Sequence, residues 1–188
     1  MNQPPEVQWP ERFPVLETPR LVLGAFRTTD LESLFRCLSD PLTVEFVTDP
    51  ADDPEVLEGV LDEYMHGHER GMSLNWAIRE KATGDYAGSV SLQEFSFHDL
   101  LAETAFDLNR SFVSKGYMSE ALGAVLTYGF SRMNLHRIEA RVVEGNKRSE
   151  KLLGRMGFTL EGNLRESFIL HGSPRNVLVY GRLSTDPV

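Results

Sequence analysis

Ser114-Lys115-Gly116-Tyr117-Met118-Ser119-Glu120-Ala121 joins a strand-like run, Ala102 to Leu108, to the start of a strongly amphipathic helix. A short glycine-containing loop before a helix can turn several backbone N–H groups toward one point, where the helix dipole also favours negative charge. Read alone, the stretch fits an ordinary strand–helix turn as well as it fits a phosphate cradle. It is not a P-loop, since GxxxxGK followed by Ser or Thr is missing, and it is not a dinucleotide fingerprint, since no GxGxxG is present.

Working outward, Leu122, Val125, Leu126, Phe130 and Met133 recur at helical spacing after the loop, with Gly129 on the same face. Before it, Leu74 to Arg79 and Tyr86 to Phe95 alternate in period two around Lys81-Ala82-Thr83-Gly84-Asp85, a hairpin turn. Earlier still, Arg20 to Phe26 reads as a strand. Asp30 then stands where a helix cap belongs, before Leu31, Leu34, Phe35 and Leu38. The acidic connection Asp49 to Glu55 leads into a second helix with Val56, Leu57, Val60, Leu61, Tyr64 and Met65 as its stripe. Downstream come a strand with Ile138, Ala140 and Val142, and a short helix with Leu152, Leu153 and Met156. Strand-like runs follow near Phe158 to Leu160, at Ser167 to Leu170 and at Val177 to Leu183, the last two joined by the turn His171-Gly172-Ser173-Pro174. The expected order is β-α-α-β-β-β-α-β-α-β-β. This is an α/β fold with a mixed sheet, not an alternating doubly wound one. A polar, proline-rich arm over 1–15 precedes one domain over 16–185.

A chain of 188 residues suits one sizeable core. No run is long enough for a membrane span, and the start lacks the basic and apolar regions of a signal peptide, so a cytoplasmic location without membrane contact is expected. The single cysteine, Cys37, reads as a core residue of the first helix. A net charge of −9 argues against broad nucleic-acid binding. Residues 1–70 hold fifteen acids and five Lys/Arg, against thirteen and fourteen in 71–188. The split fits uneven surface charge, and it also fits a first part that faces a cation and a second part that holds an anion. His66-Gly67-His68 does not share a helix face, and His98, His136 and His171 have no neighbouring ligand in sequence. No metal site is expected.

The loop at 115–121 resembles the pyrophosphate-binding loop of GNAT-type N-acetyltransferases, and most closely the branch that acetylates the N-terminal alanine of ribosomal proteins. Asn146-Lys147-Arg148-Ser149, then Leu152, Leu153, Gly157-Phe158, Glu161-Gly162 and Arg165 match the same branch, as do Gly172, Arg175 and the opening Thr18-Pro19-Arg20-Leu21. The Ala102-Glu103 strand also looks like that branch. The resemblance spans residues 17–183. Departures are Val113 and Ser114, where an aromatic and a glycine are usual, and Met118, where a small residue is common. Phe168 stands where some relatives carry a glutamate base.

The resemblance implies acetyl-CoA as co-substrate, held where Ala102–Leu108 and Arg137–Val143 splay apart as parallel strands. Asp107 and Leu108 would pair with the pantetheine arm. Ser114, Lys115, Gly116, Tyr117, Met118 and Ser119 would meet the pyrophosphate through backbone N–H groups, and Asn146, Ser149 and Leu152 would complete the cofactor site. Arg110, Lys115, Lys147, Arg148 and Lys151 would add positive charge. Ser149 would protonate the departing thiolate, unless its place is that of a first-turn cap. Glu103 faces the same way as Ala105 and Asp107, so it can serve as base or as a structural carboxylate paired across the sheet. A backbone N–H near Leu108 would stabilise the oxyanion. The acidic first part suits a cationic acceptor: a protein N-terminus, ribosomal or other, or a polyamine-like or aminoglycoside-like amine. A non-catalytic acyl-CoA sensor is the competing class. Monomer and homodimer both stay open.

Overall fold

The computed structural model describes residues 6–187. Eight strands and five α-helices follow in chain order: β1 (Leu16–Glu17), β2 (Leu21–Ala25), α1 (Leu31–Leu38), α2 (Pro41–Val44), α3 (Val56–His66), β3 (Leu74–Glu80), β4 (Tyr86–Ser96), β5 (Leu101–Leu108), α4 (Tyr117–Ser131), β6 (Arg137–Val143), α5 (Lys147–Arg155), β7 (Thr159–Leu170) and β8 (Ser173–Leu183). The sheet order is β1-β2-β3-β4-β5-β6-β8-β7. Every neighbouring pair is antiparallel except β5–β6. The mixed α/β sheet is the expected one.

Alternation along β5 sorts side chains onto two faces. Ala102, Phe106 and Leu108 belong to the cluster built on α4, where Ala121, Leu122, Val125 and Leu126 are buried against Val90, Leu92, Ile138, Ala140 and Val142. Each fully buried Leu, Ile or Val side chain among these contributes about 2 kcal/mol of transfer free energy. Leu152 and Leu153 bring α5 to that same cluster. The opposite face carries a smaller cluster, in which Leu34, Cys37, Leu57 and Leu61 from α1 and α3 meet Phe26, Ala77 and Tyr86.

Some elements differ from expectation. The runs at 158–160 and 167–170 form one strand, β7, whose register against β8 shifts between Leu160 and Gly162 and again between Leu164 and Phe168. β7 is an edge strand, exposed along almost its whole length, so alternation could not mark it. Asp30 does not cap α1 with its side chain. Its Oδ2 accepts from the Arg27 N–H at 2.8 Å and from Arg79 Nη2 at 2.5 Å, which ties the approach to α1 onto β3. The short helix α2 was not expected; Pro41 begins it, and Asp40 caps it by accepting from the Leu42 N–H at 3.2 Å.

Of the arm expected over 1–15, residues 1–5 lie outside the described residues. The remainder runs against the sheet. The Gln8 N–H donates to Met133 O at 2.8 Å, Trp9 stacks on His68, and the Trp76 indole donates to Pro14 O at 2.7 Å.

Candidate active site at the splayed strands

Strands β5 and β6 pair in parallel only at Leu101–Arg137, Ala102–Ile138 and Glu103–Glu139. β5 continues to Leu108 and β6 to Val143 with no further pairing, so the two strands diverge and leave a wedge-shaped gap. The β5 backbone facing that gap has free hydrogen-bonding capacity, which an extended amide-bearing arm can use. On the other side β5 is held close to β4. A Cβ at Gly88 would lie 2.3 Å from the Asp107 carbonyl oxygen, so only glycine allows the two backbones this approach. The Thr104 hydroxyl, on the α4 face just past the last paired residue, is buried with no hydrogen-bond partner among the described residues.

The loop between β5 and α4 forms the top of the gap. Ser114 and Gly116 both adopt left-handed backbone, with φ of 66° and 77°. Among the described residues, the backbone N–H groups of Ser114, Lys115, Gly116, Tyr117, Met118 and Ser119 find no acceptor, and the first helical bond is Glu120 N–H to Gly116 O. A run of main-chain donors in alternating handedness at a helix N-terminus is a nest for an anion. The loop therefore fits the pyrophosphate of a coenzyme A thioester, and the open edge of β5 fits its pantetheine amides. The side chains of this loop have other tasks. Met118 is buried in the α4 core, 7% exposed, so its bulk points away from the nest. Tyr117 donates to Glu80 Oε1 and packs beside Phe112.

Sequence reasoning missed what holds this loop. Arg20 donates from Nη1 to Lys115 O at 2.8 Å and from Nε to Glu120 Oε2 at 2.6 Å, and its guanidinium carbon lies 4.5 Å from the Tyr117 ring centre. Glu120 also accepts from the Thr18 hydroxyl at 2.5 Å. The signal was present in Thr18-Pro19-Arg20-Leu21, which matched as a motif but has its partners about a hundred residues away.

At the start of α5, Asn146 Oδ1 accepts from the Ser149 N–H at 3.2 Å. Asn146 is thus the cap, and the half-buried Ser149 hydroxyl makes no hydrogen bond among the described residues. Leu152 is buried in the core, 7% exposed. Of the expected cations, Lys147 is paired with Glu150 at 2.9 Å, while Arg110, Arg148 and Lys151 are exposed.

On the α1–α3 face, Glu103 stands where the strands begin to part, 3.2 Å from Arg141 Nε. Burial lifts its carboxyl above the ordinary glutamate value; Arg141 opposes the rise, and Glu94 and Glu139 add to it. Asp107, two turns of the pleat further on, lies beneath α1. It accepts from the Ser89 hydroxyl and, at 3.3 Å, from the Cys37 thiol. Burial raises its carboxyl too, against the pull of those two donors. Among the described residues no group of three or more His, Cys, Asp or Glu converges as a metal site would. No helix among them is long and apolar enough to cross a membrane.

The GNAT acetyltransferase domain model matches residues 20–159. The uncharacterized N-acetyltransferase YoaA of Bacillus subtilis (strain 168) is 30% identical over 89% of this chain and 96% of its own length. The [Ribosomal protein uS5]-alanine N-acetyltransferase of Escherichia coli (strain K12) is 27% identical over 63% of this chain and 60% of its own. The spermidine N-acetyltransferase of Vibrio cholerae, solved with CoA and spermine, superposes with a TM-score of 0.79 at 22% identity, covering 90% of this chain and 98% of that one. The chain belongs to the GNAT acetyltransferase family, and it is an acetyl-CoA-dependent N-acetyltransferase.

Proposed function

We propose that this enzyme acetylates a cationic primary amine, the N-terminal amine of a basic protein, in a ternary complex. In this reading acetyl-CoA lies on the α4–α5 face and the amine enters from the α1–α3 face. The observation that carries it is the position of Glu103: a partly desolvated carboxylate on the face opposite the pyrophosphate nest, at the point where β5 and β6 part.

Acetyl-CoA supplies an acyl carbon already activated as a thioester. Glu103 takes a proton from the ammonium, directly or through water, and frees the lone pair for attack. An α-amino group, with a pKa of about 7.7–8.0, asks less of this base than a lysine at about 10.4. Attack on the thioester carbonyl gives a tetrahedral oxyanion. As it collapses the C–S bond breaks, Ser149 Oγ–H protonates the leaving sulfur, and the second proton of the nitrogen returns to Ser149 Oγ through water. Asn146, by holding the first turn of α5, keeps that hydroxyl in place. Asp107 and Leu108 bind the pantetheine arm through their backbone, and residues 114–119 bind the pyrophosphate.

The acidic run Asp49, Asp52, Asp53 and Glu55, all exposed ahead of α3, supports a cationic acceptor. A small polyamine is the second reading, favoured by that same charge and by the likeness in fold to a spermidine acetyltransferase. The deciding experiment incubates the enzyme and acetyl-CoA with basic N-terminal peptides, spermidine and an aminoglycoside, and follows free thiol together with product mass. The expected result is a gain of one acetyl group on the peptide amine at higher kcat/KM than on spermidine. A preference for spermidine would move the acceptor to the small-amine class. Tight acetyl-CoA binding without thiol release from any amine would make the chain a sensor.

A further inference from the structure

The connection between α1 and α3 leaves and re-enters the fold at nearly one point, since the Ala51 N–H donates to Leu38 O at 3.0 Å. Between these anchors the chain makes a closed excursion, residues 39–50, of the kind that packs on itself as a surface loop. Its base stands on the β5 side of the gap, because α1 rests on Asp107 through Cys37. Its tip reaches the far side. Phe46 lies beside Gly145, at the turn after β6, where a Cβ would stand 3.6 Å from the Phe46 ring. His171, at the tip of the β7–β8 hairpin, meets Asp49 Oδ1 through Nδ1 at 2.6 Å and Glu45 O through Nε2 at 3.2 Å. Since β5 and β6 diverge between these two footholds, the loop spans the gap on the α1–α3 face.

We propose that the bridge from His171 to Asp49 and Glu45 positions the loop 39–50 as one wall of the acceptor site, and that it works only while the imidazole is doubly protonated. The reason is the number of donors. A neutral imidazole has one N–H, whereas both ring nitrogens here face acceptors, a carboxylate and a carbonyl; only the imidazolium satisfies both. The groups facing the ring are Asp49 and Glu45 from the loop and Arg175 from β8. Hydrogen bonding to Asp49 raises the pKa of His171, the Glu45 carbonyl adds to this, and Arg175 opposes it. Because the bridged pKa lies above the free value, the closure is complete below about pH 6.5 and is lost as pH rises through the bridged value. With His171 39% and Asp49 77% exposed, the contact is reversible and not a permanent staple. His171 and Asp49 are positioning residues and touch no reacting atom.

This inference rests on the acceptor entering from the α1–α3 face. Its test compares wild type with His171→Asn, which tolerates the positive φ of 51° at this turn, and with Asp49→Asn. Acceptor KM, acetyl-CoA KM and kcat are measured with a basic N-terminal peptide and with spermidine from about pH 6 to about pH 9. Below the transition both variants should show an acceptor KM about threefold to fivefold above wild type, with acetyl-CoA KM unchanged. Wild type should drift up to meet them as pH rises, and the variants should lack that drift. Equal acceptor KM in all three proteins across the range would overturn the proposal. Hydrogen exchange of amides 39–50, read without any substrate, is the separate arm. Exchange should be faster in the variants at low pH and equal at high pH, and no difference would refute the bridge even if the acceptor face were assigned wrongly. Faster exchange in the variants at low pH with an unmoved acceptor KM would instead refute the acceptor face and leave the bridge standing only as a structural tie, which also counts against the proposal.

Discussion

On the α4–α5 face of the diverging strands the protein offers main-chain N–H groups, braced from behind by Arg20 and Glu120 and set on a buried helix. On the α1–α3 face it offers side chains: the carboxylate of Glu103, Arg141, and a loop tied down by an exposed imidazole. A pyrophosphate is the same in every turnover, so a main-chain nest can be fixed once in backbone geometry. An acceptor is recognised by charge and shape, which side chains supply. The two faces should therefore fail in different ways when they are damaged.

The largest effect is expected from Glu103→Gln. In the pH range between the titration of Glu103 and that of the amine, kcat/KM for the acceptor should fall about 100-fold. The raised pKa of Glu103 puts the acid limb of the wild-type profile above the ordinary glutamate range, and the variant should lose that limb and approach wild type at high pH, where the amine deprotonates unaided. Thiol release across pH measures this; a uniform loss at every pH would assign the base to another group. Gly116→Val attacks the other face. A β-branched residue forced to φ 77° costs roughly 1–2 kcal/mol, so acetyl-CoA should bind about tenfold more weakly by calorimetry with acceptor KM unchanged. A shift in acceptor KM of equal size would mean that the faces are not separable. Ser149→Ala is expected to lower kcat about fivefold without changing acetyl-CoA affinity, since a thiol with a pKa of about 8.5 leaves with modest help. Weaker binding with unchanged kcat would return this hydroxyl to a structural role. The smallest change is Ser114→Gly: relief of the left-handed strain at φ 66°, partly offset by a floppier loop, should tighten acetyl-CoA about twofold. Any weakening would show that the serine side chain contributes to binding.

The same contrast explains what could be read from the chain alone. The nest lies within one short stretch, Ser114 to Ser119, so loop, glycine and following amphipathic helix appear together in sequence. The diverging strands were legible as period-two runs because their α4 side is apolar, at Ala102, Ile138, Ala140 and Val142. The hidden features join residues far apart. Arg20 meets Lys115 and Glu120; Asp49 meets His171; Asp30 turns from its expected cap to Arg79. Each is a polar side chain whose partner is chosen by the fold, and no local spacing records that choice. β7 escaped for another reason. An edge strand with water on both sides has no apolar period, so only its ends, near Leu160 and Leu170, registered.

Cys37 lies 1% exposed against Asp107, and burial, followed by that neighbouring carboxylate, holds its thiol well above the ordinary cysteine range. It is the chain's sole sulfhydryl. Disulfide reagents attack thiolates, so the native enzyme should be silent toward them while the coenzyme A it releases is not. Every turnover can then be counted by colour in real time, with the folded protein contributing no background and suffering no inactivation from the dye.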